Sequence, residues 1–264
     1  MRATHLLRTA TGGAGFWART FDVLKRNTER AIKFQAITDT FADLPIAQFR
    51  TPADVKSIKV FSDAELGGFS TASLTLIAPH HSYPTELPPP PPPPCPGSPP
   101  HPYALFWGSI STELPPTRPE IQRSGYAAFR TRSPKATLFG SNLMDIDPYT
   151  YLALRINSDG SRYYVNLQTD GIVPTDIHQH RLLAENPGGW ETVYIPFKEF
   201  VRTNNGVVVW PADLLRSRLR TVGIGLIDRV PGPFRLAVDR IWATDRIRPE
   251  DEQPPERNLR DEVD

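Results

Sequence analysis

Four polar side chains in the middle of the chain have the chemistry of a ligand-binding surface. They are Arg155, Tyr164, Asn166 and Gln168. An aromatic ring beside guanidinium and amide groups can stack on a sugar ring while the polar groups hydrogen-bond its hydroxyls. The same groups suit a protein partner, because arginine and aromatic side chains are common at the centres of interfaces. The four residues are therefore predicted to form one binding surface on a β-sheet.

Histidine and aspartate residues supply two further candidate sites, and neither is complete. His178 and His180 would point to the same side of a β-strand, but no third metal ligand follows at a recognisable spacing. Asp145 and Asp147 precede Pro148, where carboxylates commonly bond nearby backbone amides. A glycosidase would need a second carboxylate across a cleft, and no G-x-S-x-G motif is present. We therefore predict no catalytic residue, no cofactor, no metal site and no enzymatic activity.

The elements that position the polar residues are two alternating runs around a turn-forming NSDG sequence. Together they form Tyr149–Asp170, which reads YTYLALRINSDGSRYYVNLQTD. Because successive side chains of a strand point to opposite faces, each run has an apolar and a polar face. This pattern predicts a β-hairpin whose polar face carries the binding surface. The side chains expected in the core are those of Leu152, Leu154, Ile156, Val165 and Leu167.

Many other short strands, joined by Pro- and Gly-rich connections, predict an all-β sandwich. A chain of 264 residues with 39% hydrophobic content suits one substantial core. Proline cannot donate a ladder hydrogen bond, so Pro196 indicates an edge strand or a strand end. The predicted strands outside the hairpin are Val55–Phe61, Phe69–Ala78, Tyr103–Ser111, Gly125–Thr131, Trp190–Phe197, Leu219–Ile227 and Phe234–Ala243.

Composition divides the chain into three parts. Residues 1–35 form a basic segment with an amphipathic helix, residues 36–245 form the sandwich domain, and residues 246–264 form a charged tail that is predicted to be disordered. The domain contains a Pro-rich insertion at 79–102, with seven consecutive prolines at Pro88–Pro94. Such a run favours polyproline II, and a solvated loop between two strands is favoured over a ligand for a partner domain.

The helix of the first part is predicted from Phe16 to Gln35 and is amphipathic at about 100° per residue. Its apolar side holds Trp17, Phe21, Leu24 and Ile32, and its opposite side holds Arg19, Arg26, Arg30 and Lys33. Two interpretations stay open. The helix packs on its own domain or on a partner, or it lies in the interface of an anionic membrane.

Charge and cysteine content restrict the compartment and the partners. The net charge of +1 argues against a dedicated nucleic-acid binder, although the first 33 residues carry seven Lys and Arg against two acids. The lone Cys95 excludes an intrachain disulfide and a Cys-based zinc site, which suits a reducing compartment. Residues 1–14 lack acids and are rich in Arg and Thr, a composition typical of a mitochondrial transit peptide.

An ordered set of sequence blocks runs through nearly the whole predicted domain. The blocks are SDAELGGFS at Ser62–Ser70, FWGSIS at Phe106–Ser111, GYAAFRT at Gly125–Thr131, YLALRINSDGSRYYVNLQT at Tyr151–Thr169, WETVYIPFKEF at Trp190–Phe200 and TVGIGLIDRVPGPFRLAVDRIWA at Thr221–Ala243. No single block is specific, because each is a strand with a glycine. The ordered set resembles the complex I intermediate-associated protein family.

The resemblance implies a fold and a role. The implied fold is a galactose-binding-like jelly roll related to carbohydrate-binding modules. The implied role is a chaperone for assembly of mitochondrial NADH:ubiquinone oxidoreductase, which binds membrane-arm intermediates together with other assembly factors. The implied place is the matrix, peripheral to the inner membrane. The chain departs from the family in its Pro-rich insertion and its short N-terminal extension. The competing interpretation is a carbohydrate-binding module that uses the face of Arg155, Tyr164, Asn166 and Gln168.

Overall fold

The computed structural model describes residues 42–78 and 100–248, except 117, 119, 122, 134–135, 138–139, 142, 205 and 210–213. One short helix, α1 (Pro52–Lys56), and fifteen strands lie in this part of the chain. The strands are β1 (Leu44–Gln48), β2 (Ile58–Ser62), β3 (Thr71–Ile77), β4 (Tyr103–Ile110), β5 (Ala127–Thr131), β6 (Ala136–Thr137), β7 (Gly140–Ser141), β8 (Tyr151–Ser158), β9 (Tyr163–Thr169), β10 (Asp176–Arg181), β11 (Trp190–Pro196), β12 (Val201–Asn204), β13 (Val207–Val208), β14 (Leu219–Leu226) and β15 (Gly232–Thr244). Short 3-10 turns cover Asp63–Leu66, Phe197–Glu199 and Arg216–Arg218.

The strands form two antiparallel sheets that pack face to face. Sheet A has the order β11-β8-β15-β4-β3, with β1 also paired to β15. Sheet B has the order β13-β12-β10-β9-β14-β5-β2, and β6 and β7 form a separate two-stranded pair. Two packed sheets with few helices confirm the predicted all-β sandwich. Strand β11, which ends at Pro196, is an edge strand of sheet A, as the proline predicted.

The core lies between the inner faces of the two sheets. Sheet A contributes Leu152, Leu154 and Ile156 from β8, and all three are fully buried. Sheet B contributes Val165 and Leu167 from β9, which are equally buried. These are the five core residues that alternation predicted, so the inward and outward faces of both runs are confirmed.

The predicted hairpin is wrong, because β8 and β9 do not pair. Strand β8 lies between β11 and β15 in sheet A, whereas β9 lies between β10 and β14 in sheet B. The NSDG turn therefore carries the chain from one sheet to the other. Asp159 fixes this crossing, since its Oδ2 accepts a hydrogen bond of 2.6 Å from the Arg235 amide of β15. Alternating runs around a turn look the same for a hairpin and for an arch between two sheets.

The other predicted strands are present with small boundary shifts. The exception is Val55–Phe61, whose first part is the end of helix α1, so that β2 begins at Ile58. A Pro at the start and an Asp54 side chain that accepts from the Thr51 amide favour the helical turn there. The amphipathic helix at 16–35, most of the Pro-rich insertion and most of the tail lie outside the described residues.

A buried carboxylate joins the loops at one end of the sandwich. Asp63 is 2% exposed and follows β2 of sheet B. Its Oδ1 accepts from the Ser70 amide at 2.8 Å, and its Oδ2 accepts from the Gly125 amide at 2.5 Å and the Ser70 hydroxyl at 2.8 Å. The Ser111 amide donates in turn to the Ser70 hydroxyl at 3.0 Å. Two of the sequence blocks meet at this side chain, and a third is joined to it through the Ser70 hydroxyl.

The fold makes a first prediction about the core. Replacing Leu154 by alanine should lower the free energy of unfolding by about 2–5 kcal/mol, because a fully buried side chain is lost and a cavity remains. Val201→Ala is the control on the outer face of sheet B, and it should change stability by less than about 0.5 kcal/mol. Reversible denaturant melts measure both, and equal losses in the two variants would contradict the assignment of inner and outer faces.

A second prediction concerns the buried carboxylate. Asp63→Asn keeps the size of the side chain but turns one acceptor into a donor that faces other donors. We expect a loss of about 1–3 kcal/mol, the usual effect of leaving a buried hydrogen-bonding group unpaired. The exposed neighbour Glu65→Gln should stay within about 0.5 kcal/mol of the wild type. Equal stability of the Asp63 variant would mean that the loops are held by other contacts.

Candidate functional site

The outward surfaces of the two sheets are the candidate binding surfaces considered first, because the predicted surface residues lie on them. They have opposite character, polar on sheet B and aromatic on sheet A. In the part of the chain that the structure describes, no helix is long and apolar enough to cross a membrane. The eight predicted residues of the N-terminal helix lie outside this part, and their role stays a prediction.

The four predicted surface residues do not share one face. Tyr164, Asn166 and Gln168 lie together on the outer face of sheet B, on strand β9. Arg155 lies on β8 and faces outward from sheet A, where its guanidinium donates to the Thr192 hydroxyl at 3.3 Å. The error follows from the predicted hairpin, which placed both strands in one sheet. The single four-residue surface is therefore corrected to three residues on one side of the sandwich and one on the other.

The outer face of sheet B has a strip without side chains beside Tyr164 and Asn166. Strand β14 contributes Gly225 opposite Tyr164 and Gly223 opposite Asn166. A Cβ at Gly223 would lie 2.5 Å from the Phe129 carbonyl oxygen of β5, so no larger residue fits there. The close approach of β5 and β14 thus requires glycine, and both glycines are buried, with Ala128 and Asn166 packed next to Gly225.

The amide side chains of sheet B are already engaged with their neighbours. The Gln179 amide nitrogen donates to Asn166 Oδ1 at 2.8 Å, and the Thr203 hydroxyl donates to Gln179 Oε1 at 2.8 Å. Gln168 donates to the Pro174 carbonyl at 2.8 Å. Groups that are paired within the sheet are less available for sugar hydroxyls, because a ligand would have to replace existing hydrogen bonds.

The outer face of sheet A carries a second apolar cluster, separate from the core. Its side chains point away from sheet B, since they alternate with the core residues Ala104, Phe106 and Leu236. The rings of Tyr103 and Trp190 meet edge to face with centroids 5.1 Å apart. The cluster consists of Ile77, Tyr103, Leu105, Trp190 and Ala237, with Trp107 packed against it, and we refer to it as the outer cluster.

Aromatic side chains extend the outer cluster along sheet A. Tyr194 makes edge-to-face contacts with Tyr151 at 6.3 Å and with Trp242 at 6.5 Å between centroids. The guanidinium of Arg240 lies 4.2 Å from the centroid of the Trp242 ring, a cation–π contact. The described tryptophans Trp107, Trp190 and Trp242 all belong to this side, so none of them stands beside Tyr164 as a sugar platform.

The histidine pair lies on strand β10, and both side chains point to the same side of the strand, as alternation predicted; that side is the inner face of sheet B. His178 pairs in register with Leu167 and is buried, while His180 pairs with Val165. The His180 and Phe200 rings lie 5.6 Å apart between centroids in a tilted arrangement, and the His180 Nε2 atom lies 3.6 Å from Glu199 Oε2. Within the described ranges, no three His, Cys, Asp or Glu side chains are arranged to hold a metal ion.

The carboxylates of the described chain make structural contacts. Asp145 Oδ1 accepts from the Asp147 amide at 3.1 Å, which is the turn contact predicted before Pro148. Hydrogen bonds from Asn204 and Arg202 lower the pKa of Asp176 between β10 and β12. Burial and the nearby Asp159 charge raise the pKa of the Tyr163 hydroxyl well above its ordinary value of 10.0. The first shift favours the ionised form of Asp176 in the folded protein, and the second favours the neutral form of Tyr163.

One open cavity of about 310 Å³ lies where the two crossing loops of the sandwich meet. Asp159 and Arg162 line one side, and Asp228 and Pro231 line the other. The Asp159 carboxylate bonds the Ser161 and Arg235 amides, and Asp228 Oδ1 accepts from the Val230 amide at 3.3 Å. These two carboxylates are engaged in holding the loops, so they do not form a set of groups arranged to bind or convert a ligand in the cavity.

Sequence reasoning missed the outer cluster for an identifiable reason. Strand β4 reads YALFWGSI, with apolar residues on both faces, and alternation alone assigns only one face to the core. An uninterrupted apolar run is the signal of a strand that is covered on both sides. The run from Tyr103 to Trp107 could have predicted a second covered face.

The architecture defines the fold class, a two-sheet β-sandwich like that of carbohydrate-binding modules. The family 11 carbohydrate-binding module from Clostridium thermocellum, solved with a mixed-linked tetrasaccharide, superposes with a TM-score of 0.50. The superposition covers 79% of this chain and 99% of that module at 12% sequence identity. A second structure, the family 11 module of a cellulosomal cellulase, gives the same score and identity. At this identity the likeness concerns the fold alone.

The sequence comparison identifies the family. The model of complex I intermediate-associated protein 30 matches residues 47–238, and the chain belongs to this family. The mitochondrial complex I intermediate-associated protein 30 of Neurospora crassa is 44% identical over 246 residues, covering 92% of this chain and 87% of the relative. The mouse protein of the same name is 28% identical over 198 residues, covering 74% of this chain and 54% of the relative.

The polar face of sheet B predicts a negative result with sugars. Titration of the full chain with a panel of neutral oligosaccharides should give no calorimetric binding signal, because the amide groups beside Tyr164 are already paired. Tyr164→Ala should then be indistinguishable from the wild type. A clear micromolar isotherm that Tyr164→Ala abolishes would establish a retained carbohydrate site on sheet B.

Proposed function

We propose that the protein is a non-enzymatic assembly factor of mitochondrial respiratory complex I. The observation that carries the proposal is the 44% identity to the Neurospora crassa complex I intermediate-associated protein over 92% of this chain. The family match through most of the sandwich supports the same role. The described carboxylates and histidines serve structural contacts, which agrees with a protein that binds rather than catalyses.

The proposed partners are membrane-arm subunits in assembly intermediates, together with other assembly factors, and no nucleic acid is involved. A chaperone for such intermediates must contact proteins that expose apolar surface before they are complete. Broad sheet faces with aromatic and arginine side chains are suited to this task, because such residues dominate protein interfaces. Tyr164 on sheet B and Arg155 on sheet A are candidates on opposite sides of the molecule.

The proposed location is the mitochondrial matrix, peripheral to the inner membrane. The relatives are named as mitochondrial, which supports the organelle. Within the organelle, the basic side of the segment 16–35 suits the surface of an anionic membrane. Each basic residue near such a surface contributes about 1 kcal/mol, and the attraction weakens with salt. Attachment of this kind is reversible.

Removal of the protein from cells tests the assembly role. We expect the amount of assembled complex I to fall while the other respiratory complexes stay at their normal level. Expression of the wild-type chain should restore complex I. An unchanged amount of assembled complex I in cells without the protein would contradict the proposed function.

Membrane fractions test the proposed location. High salt or carbonate should release the protein, and Arg26→Glu with Arg30→Glu should reduce attachment because two attractive charges become repulsive. Charge reversal of Arg246 and Arg248 at the other end of the chain is the matched control, and it should leave attachment unchanged. Equal attachment of the Arg26/Arg30 variant and the wild type would exclude the basic segment as the anchor.

A further inference from the structure

The outer cluster of sheet A is buried although it faces away from the sandwich core. Leu105 is 4% exposed, Trp190 7% and Tyr103 9%. The Tyr103 and Trp190 rings reach towards each other over the sheet, since β4 and β11 are separated in the sheet by β15 and β8. The two rings can therefore bury Ala237 and Leu105 beneath them. They cannot bury themselves, so a further layer must cover them.

The outer face of sheet B shows what a sheet surface looks like without such a layer. Tyr164, Asn166 and Gln168 are all partly exposed, and Val201 is 49% exposed. Only small or glycine positions such as Ala128 are buried there, beneath the longer side chains of the same sheet. The near-complete burial of two large aromatic rings on sheet A is thus not a general property of outward side chains in this fold.

A covering layer from the same chain would have to come from residues outside the described ranges. The described strands are all placed in the two sheets and the β6–β7 pair. We propose that the segment 16–35 packs its apolar side on the outer cluster and forms a third layer over sheet A. The packing itself does not depend on the proposed function. Only the role given below to the basic side of the segment rests on that function.

The position of the segment along the chain supports this occupant. Its connection to the domain is β1, which pairs with β15 in sheet A, so the chain enters the fold in the sheet that carries the cluster. The Tyr149 hydroxyl holds this entry by donating to the Ala42 carbonyl at 3.0 Å. Residues 36–43 can span up to about 26 Å when extended, which is enough to turn back over the sheet.

The size of the segment also fits the surface. A helix over the twenty residues 16–35 would be about 30 Å long. Five strands of sheet A at about 4.8 Å spacing are roughly 20 Å wide between the outer strands. One helix therefore reaches across the strands that carry the cluster, from β11 to β3.

The chemistry of the segment matches the face that it would cover. Trp17, Phe21 and Leu24 would meet apolar and aromatic side chains. At about 100° per residue, Asp22 and Glu29 lie together along one edge of the apolar stripe. On sheet A, Arg155 and Arg240 are register partners on the outer face next to the cluster, so opposite charges can border the contact.

The Pro-rich stretch is the competing occupant, because it connects β3 and β4 and its flanking residues Ile77 and Tyr103 belong to the cluster. Polyproline segments do bind aromatic grooves. Residues 79–99 carry few large apolar side chains besides Tyr83 and Leu87, so they offer less surface to bury two aromatic rings. The amphipathic segment supplies that surface along a single side.

The two sides of the segment then have different roles. Its apolar side is occupied by the sandwich, and Arg19, Arg26, Arg30 and Lys33 on the opposite side face outward. Attachment to an anionic membrane or an acidic partner surface then depends on charge and needs no insertion of Trp17 or Phe21.

Thiol accessibility in the full-length chain tests the proposal. In a Cys95→Ser background, Leu105→Cys places the only thiol beneath the outer cluster, and its reaction with a thiol reagent should be slow. Adding Trp17→Glu and Phe21→Glu should accelerate the reaction by about tenfold or more, because burying one large aromatic side chain already shifts such an equilibrium by that factor. Arg26→Glu with Arg30→Glu should leave the rate unchanged, although it weakens membrane attachment.

A matched thiol separates local opening from unfolding. Ala128→Cys lies under the outer face of sheet B, where the parent alanine is 6% exposed, and its rate should not respond to Trp17→Glu and Phe21→Glu. Hydrogen exchange of β9 in the core should also stay slow. If the Leu105→Cys rate is unchanged by the Trp17/Phe21 pair, the proposal is wrong. If deletion of residues 82–98 accelerates that rate instead, the Pro-rich stretch covers the cluster and the proposal is equally overturned. Neither result affects the assembly role, which the loss of complex I tests separately.

Discussion

The packing of two inner sheet faces against each other is the constraint on which the rest of the molecule depends. Leu152, Leu154 and Ile156 of β8 have to meet Val165 and Leu167 of β9 across the core, and this forces the two strands into different sheets. With a side-chain period of two, the same requirement sends every intervening residue outward. The positions of Arg155 and Tyr164 on opposite sides of the molecule follow directly from it.

The ends of the sandwich are fixed by polar groups that the core cannot position. The Asp63 carboxylate accepts hydrogen bonds from the amides of Ser70 and Gly125. It thereby links the end of β2 to the residues that lead into β3 and β5. Asp239 plays a comparable part beside β1 and β4, where Arg50 forms an ion pair of 2.6 Å with its carboxylate. Such buried carboxylates retain their place only where several donors surround them. The two carboxylates thus hold in place the chain segments next to the strands of both sheets.

The sequence could predict the fold class, the core residues and most strand positions, because each depends on local alternation and turn residues. It could not predict the partner of each strand. The NSDG turn and the DRVPGP turn each look local, yet both connect sheet A to sheet B. The four-residue surface failed for that reason. The outer cluster was missed because β4 is apolar on both faces, and periodicity identifies only one buried side.

The relation between fold and role is indirect in this protein. Its structural likeness is to modules that bind sugars, whereas its sequence likeness is to proteins named for complex I intermediates. A sandwich offers two broad outer faces, and their side chains rather than the strand order decide what is bound. Here the polar face is largely paired within itself, and the outer cluster of the aromatic face is buried. The proposed role therefore depends on surfaces and charge, and not on a pocket with arranged chemistry.

The central claim is that the protein binds unfinished complex I, and the most direct measurement is its co-migration in native gels of mitochondria. Full-length protein carrying an epitope tag would be separated from mild-detergent extracts, and the subunits migrating with it identified by mass spectrometry. The account predicts bands smaller than the finished enzyme that contain membrane-arm subunits, and no tagged protein in the finished enzyme. Migration without any complex I subunit, or only with the finished enzyme, would contradict it.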